Sequence, residues 1–143
     1  MVENYRFSHR LKVRWSEIDG QNIVFNAHYL TYLDVASSEY FYEGLKLNLR
    51  ELAANEKFDY VLVKSTLEYK SSAQLGDWLN VWVRTKSIGR TSFTKSFKIT
   101  RESDEEIILL GEIIYACYNA SAKSSSPVPD FIRKRIEEYE NQK

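Results

Sequence analysis

One run of helical spacing, followed by period-two spacing over most of what remains, leaves a chain few ways to fold. After Asn26 the residues Tyr29, Leu33, Ala36 and Tyr40 recur at helical intervals, as do Leu30, Leu33 and Phe41, with no breaker before Gly44. Asn26 is a favoured N-cap residue, so the spacing predicts a helix from about Ala27 that stops at Gly44. From Tyr60 the period changes. Val61, Val63, Ser65, Leu67 and Tyr69 share one face against Lys64, Thr66, Glu68 and Lys70, and Leu79, Val81, Val83 and Thr85 alternate with Trp78, Asn80, Trp82 and Arg84. Within 91–100, Phe93, Phe97 and Ile99 share a side with Lys95, a lysine expected to snorkel out or meet a ligand. Residues 107–118 are apolar on both faces, the pattern of a strand with neighbours on either side, and 71–77, 87–90 and the acidic stretch 102–106 read as turns. One long helix against one antiparallel sheet is an α+β fold.

The flanks fit this plan. Residues 7–15 alternate, with Phe7, His9, Leu11, Val13 and Trp15 on one side, which predicts a half-buried first strand with His9 packed at the sheet rim. Leu47, Leu49 and Leu52 suggest a short second helix within 45–57. Residues 119–126 form a polar linker, and Pro127 and Pro129 introduce a C-terminal helix over 131–140. With 143 residues the chain is expected to be a single domain, 1–143, large enough to bury a core. Twenty basic residues balance twenty acidic ones, which removes the electrostatic case for nucleic acid. Cys117 is the single cysteine, so no intrachain disulfide forms and a reducing, cytoplasmic setting is expected; nothing near it resembles a metal set. No eighteen apolar residues run together and the first residues lack a leader pattern, so neither a membrane span nor a processed segment is expected. Trp78 and Trp82 point away from the apolar set, toward either a protein interface or an overlying loop.

The helix start suggests chemistry. Its first amides have no intrahelical acceptor and carry the positive end of the helix dipole, so they suit a carbonyl oxygen gaining negative charge. Asp19, in the loop before it, is a carboxylate that a turn at Gly20 would hold near that end, although an Asp in this position serves equally as a turn or capping residue. The segment Asp19-Gly20-Gln21-Asn22-Ile23-Val24-Phe25-Asn26-Ala27-His28-Tyr29-Leu30 resembles the signature loop of the hotdog-fold acyl-CoA thioesterases, in particular the 4-hydroxybenzoyl-CoA thioesterase branch and its YbgC-like relatives.

That resemblance implies a hotdog fold, with a sheet wrapped around one long helix. It implies Asp19 as general base or nucleophile, and the amide at Asn26 as the group that polarises the thioester carbonyl. Two positions depart from the pattern: Asn22-Ile23 stand where many relatives carry Gly-His, and Asn26 stands where YbgC-like members carry His. His28, two residues on, either substitutes for that imidazole or caps and packs. Phe25, Tyr29 and Phe58 are candidate acyl-pocket residues, with Tyr32 assigned to the core. Lys86, Arg90, Thr91 and Ser92 flank a turn expected to meet the nucleotide of coenzyme A, which enters as part of the substrate, so no separate cofactor or metal is expected. Glu39 and Asp34 lie on the helix but away from its N-terminus, and Glu17 reads as a solvated loop charge. A sheet with an open edge points to a homodimer, paired further into a tetramer through the Trp78 and Trp82 face. An acyl carrier protein thioesterase and a non-catalytic acyl-CoA-binding module are the alternatives.

Overall fold

The main strands form one antiparallel sheet in the order Phe7–Lys12, Trp78–Ile88, Ser92–Arg101, Ile107–Asn119 and Tyr60–Tyr69. The computed structural model describes residues 4–141. In chain order the elements are β1 (Phe7–Lys12), α1 (Asn26–Glu39), α2 (Leu49–Ala54), β2 (Tyr60–Tyr69), β3 (Trp78–Ile88), β4 (Ser92–Arg101), β5 (Ile107–Asn119), β6 (Ser124–Ser125) and α3 (Asp130–Glu140). The helix lies across one face of the sheet, as the resemblance implied, and a π-turn at Tyr40–Gly44 carries it on to the expected stop at Gly44.

Burial explains why these residues take these places. Leu33, Ala36, Tyr40 and Phe41 of α1 and its π-turn meet Leu79, Val81 and Val83 of β3, Phe93, Phe97 and Ile99 of β4, and Leu109 and Ile113 of β5 in one core. Gly111 lets the helix come close: a Cβ there would lie 3.0 Å from Leu67 Cδ2 and 3.4 Å from Leu33 Cδ1. The C-terminal helix is fastened by Glu140, whose carboxylate accepts from the Tyr40 hydroxyl and from the Thr85 amide at 2.9 Å.

Several expectations are corrected. Asn26 is the first residue of α1, and Phe25 takes the N-cap position without any side-chain cap. Strand β1 ends at Lys12, because Trp15–Glu17 wind into a 3₁₀ turn. In β2 the register shifts between Leu62 and Lys64, so Tyr60 and Leu67 both face the core while Val61, Leu62 and Val63 stay exposed. The bulge reverses the expected alternation on the Tyr60 side of the strand, while Leu67 keeps the inward face that the sequence suggests. Lys95 does not snorkel: it is 0% exposed, 2.7 Å from Ser37 Oγ and 3.7 Å above the Phe41 ring. The linker 119–126 also folds further than expected, since β6 pairs back onto β5.

The outward indoles are partly covered. Arg10 lies 3.7 Å over the Trp78 ring, and Trp82 Nε1 donates to Thr100 Oγ1 at 3.1 Å.

Candidate active site

The segment from Glu17 to Phe25 closes on itself as a small hairpin. The Phe25 amide donates to the Glu17 carbonyl at 2.9 Å, and the Asp19 amide donates to the Ile23 carbonyl at 2.9 Å. Its tip is a turn in which the Asn22 amide reaches the Asp19 carbonyl at 3.0 Å and the Gln21 amide reaches Asp19 Oδ1 at 2.8 Å. Asn22 supplies the left-handed residue, φ 63°, in place of the expected Gly20; Asn tolerates that region through its short polar side chain. The return arm is pinned from outside as well, because Val24 donates to the Ala73 carbonyl at 2.9 Å and Ile23 bridges Gln74.

Helix α1 starts directly from this arm. With the Phe25 amide spent on Glu17 and the His28 amide donating back to Phe25 at 2.9 Å, the amides of Asn26 and Ala27 have no acceptor among the described residues. They stand at the positive end of the dipole of a helix of 14 residues. Asp19 thus sits half-buried on the outgoing arm, and two free donors stand where the return arm becomes helix.

The other expected site residues fall into three groups. Phe25 is exposed and lies edge-on to His28 at 6.1 Å, so both stand beside the helix start. Tyr29 is buried, packs edge-on against Tyr32 and Tyr69, and accepts from the Ala73 amide at 3.1 Å, which ties α1 to the segment that pins the hairpin. Phe58 is buried at the other end of the sheet among Phe41, Tyr60 and Phe93, and lines a cavity of about 150 Å³ with Cys117, Pro127 and Pro129. Burial pushes the Cys117 thiol up to about 11, so it is no thiolate nucleophile at neutral pH.

Arg90, Thr91 and Ser92 also lie at that far end, while Lys86 sits at mid-sheet, level with Ile113 and Ile114 of β5. Lys86 pairs with Glu112 at 3.0 Å, the Arg90 carbonyl accepts from Val128 at 2.8 Å, the Thr91 carbonyl accepts from Cys117 at 2.8 Å, and the Ser92 carbonyl accepts from Gly89 at 2.7 Å. Tyr69 pairs with Leu109, and Tyr60 with Cys117, eight steps or about 26 Å of strand apart on β5, and the segment that pins the Asp19 hairpin follows the Tyr69 end while Arg90, Thr91 and Ser92 lie at the Cys117 end. One chain does not bring them together.

Glu17 escaped the sequence reading. It is 5% exposed, and its carboxylate accepts four hydrogen bonds: the Arg14 amide at 2.8 Å, Arg14 Nε at 3.0 Å, Arg14 Nη2 at 2.6 Å and the Tyr32 hydroxyl at 2.8 Å. Burial alone would raise its pKa, but the bonds from Arg14 and Tyr32 outweigh it and hold the group below the usual carboxylate range. The only sequence signal was its place two residues before Asp19. Among the described residues no group of three His, Cys, Asp or Glu side chains is placed to hold a metal ion, and no helix is long and apolar enough to cross a membrane.

Comparison with known proteins gives this geometry a family. The thioesterase-like superfamily matches residues 13–136 of the chain. An acyl-CoA thioesterase YbgC from Helicobacter pylori is 25% identical over 134 residues, spanning 89% of this chain and 97% of that protein. Among solved structures, a thioesterase from Thermus thermophilus complexed with coenzyme A and Zn superposes with a TM-score of 0.83 at 25% identity, covering 99% of both chains. The 1,4-dihydroxy-2-naphthoyl-CoA thioesterase Slr0204 from Synechocystis shares the fold at a TM-score of 0.86 and 17% identity, over 95% of this chain and 98% of that one. With a match running from the end of β1 into α3 and a sheet curled on one long helix, the chain belongs to the thioesterase-like superfamily, a hotdog-fold thioester hydrolase.

Proposed function

We propose that this protein hydrolyses acyl-CoA thioesters to the free acid and coenzyme A, with Asp19 as general base or nucleophile and the amides at Asn26 and Ala27 as oxyanion donors. The observation that carries this reading is the pair of unpartnered amides at the start of α1, joined by one tight hairpin to a carboxylate. A thioester carbonyl gains little resonance from sulfur and is open to attack. As attack proceeds, charge collects on the carbonyl oxygen, and two fixed N–H groups at a helix end stabilise it without reorganising. As a base, Asp19 takes a proton from water, whose oxygen attacks the carbonyl carbon and expels the thiolate. As a nucleophile it forms a mixed anhydride with loss of coenzyme A, and water then cleaves the anhydride to the acid. His28, beside Phe25, stands ready to orient the water or the leaving sulfur.

Coenzyme A is the preferred carrier because the H. pylori relative is named for acyl-CoA and the T. thermophilus thioesterase holds coenzyme A. The turn bearing Lys86, Arg90, Thr91 and Ser92 then supplies nucleotide contacts from a second subunit, since it lies too far from Asp19 of its own chain. Phe25 and Tyr29, at the start of α1, border the acyl path, whereas Phe58, buried at the far end of the sheet, is a core residue and not part of it. The test is steady-state hydrolysis of acyl-CoA and matched acyl-carrier-protein substrates by wild type and Asp19→Asn. Asp19→Asn is expected to lower kcat by about 10² to 10⁴ with an unchanged circular dichroism spectrum. Undiminished turnover in that variant would remove the proposed role, and faster turnover of carrier-protein substrates would replace coenzyme A as the carrier.

A further inference from the structure

Glu17 is built into this molecule in a way that a loop charge is not. Its carbonyl closes the hairpin by accepting from Phe25, the residue before the oxyanion amides. Its carboxylate reaches in the other direction, to Tyr32 on the second turn of α1 and to the backbone and guanidinium of Arg14 at the end of the first strand's extension. One residue therefore joins the three parts whose mutual placement sets the site: the outgoing arm with Asp19, the return arm with Phe25, and the helix itself.

We infer that Glu17 is the positioning residue of this site, anchoring the Asp19 hairpin to α1 so that the carboxylate and the free amides keep one spacing. The inference rests on the thioesterase reading for its catalytic consequence, but not for its structural content. A carboxylate suits the task because it offers four acceptor sites and no donor, and four donors surround it. The two carboxylate oxygens divide the work. Oε1 takes the Arg14 amide and the buried Tyr32 hydroxyl, whereas Oε2 takes only the guanidinium of Arg14, whose side chain is 75% exposed and free to turn into water. The anchoring bonds are those on Oε1. The ion pair on Oε2 is half in solvent and contributes little.

This division makes the role separable from simple stability. Glu17→Gln retains an oxygen at Oε1 for both anchoring bonds and gives up only the ion pair, while Glu17→Leu fills the space and removes every side-chain bond, leaving the backbone bond from Phe25 in place. Tyr32→Phe deletes a single anchoring bond and leaves the carboxylate on Arg14. Two readouts are taken on the full chain: amide hydrogen exchange across residues 18–26, and kcat and KM on an acyl-CoA substrate.

Glu17→Leu is expected to speed exchange of the hairpin amides by about tenfold or more while those of β3, β4 and β5 stay protected. It is expected to lower kcat about 10²-fold through misplacement of the reacting groups, with KM within about twofold of wild type. Glu17→Gln is expected to restore both readouts to within about threefold, with Tyr32→Phe intermediate. A folded Glu17→Leu with wild-type hairpin exchange and kcat would overturn the inference, as would Glu17→Gln behaving like Glu17→Leu. If Glu17→Leu does not fold, Tyr32→Phe decides: unchanged exchange and kcat there also overturn it. Should Asp19→Asn keep full activity, the thioesterase mechanism fails, and hairpin exchange alone then decides whether Glu17 is the anchor.

Discussion

Lys95 shows what a single residue does when its neighbours do not suit it. Its ammonium group has Ser37 Oγ at 2.7 Å and the rings of Phe41, Tyr40 and Tyr115 at 3.7, 4.5 and 5.8 Å, but no carboxylate within ion-pair distance among the described residues. Burial holds its pKa well below the ordinary lysine range, with Glu140 pulling weakly the other way. The linkage sign follows. Above the unfolded lysine pKa, about 10.4, both states are neutral and burial costs no protonation energy. As pH falls below that value the unfolded state takes up a proton that the folded state refuses, so stability declines steadily toward the depressed folded pKa. Replacing Lys95 with Met keeps the length and removes the titration. Lys95→Met is expected to raise stability at pH 7 by at least about 1 kcal/mol and to flatten its dependence between about pH 7 and 10. Urea midpoints at the two pH values check this, and a Lys95→Met protein less stable than wild type at pH 7 would show the amine to be satisfied where it is.

At the scale of elements, α1 and the sheet are spaced by what β5 lacks. Gly111→Ala would push a Cβ to within 3.0 Å of Leu67 and 3.4 Å of Leu33, forcing either the β2 leucine or the helix to give, and is expected to cost about 1–3 kcal/mol. Thermal unfolding of the variant measures it; an unchanged midpoint would mean that the Leu67 end swings aside freely. Elements of this kind were readable in the sequence wherever one face does all the burying. The helix from 27 to 44 and the alternations of β3 and β4 came out in place, because their inward residues answer to one core. What stayed hidden depends on partners far along the chain. The β2 bulge is silent because Val61, Leu62 and Val63 are apolar in either phase. The start of α1 moved by one residue because the Phe25 amide is taken by Glu17, a tertiary bond that no local preference encodes. Glu17 looked solvated because Tyr32, fifteen positions on, is visible as its cover only once the hairpin is folded back. At the site itself, composition left Asp19 as readily a turn residue as an acid, and its side chain does make that turn with Gln21; only the family pattern gave it a chemical role.

For the whole molecule, the problem is a strand that has no neighbour on one side among the described residues. β2 pairs with β5 along one edge, and among the described residues its other edge is open over ten residues, with Val63 59% exposed and Val61 and Leu62 also exposed. A long apolar edge of this sort invites pairing with another strand, and the least demanding partner is the same strand of a second copy, related by a two-fold axis. That arrangement has a consequence for the site. In an antiparallel β2–β2 pair the Tyr60 end of one copy lies beside the Tyr69 end of the other, so the turn bearing Arg90, Thr91 and Ser92 of one subunit comes toward the Asp19 hairpin of its partner, although the two lie at opposite ends of the sheet within a chain. Pairing would therefore complete the site as well as cover the edge. A charge and a ring placed on that edge should prevent both. Leu62→Asp combined with Val63→Pro is expected to convert a dimer into a monomer by sedimentation equilibrium, with hydrolysis of acyl-CoA falling at least about 10²-fold even though Asp19, Asn26 and Glu17 are untouched. A monomer that keeps wild-type kcat and KM would show that one chain carries the whole site, and would place the coenzyme A contacts somewhere other than the turn bearing Arg90, Thr91 and Ser92.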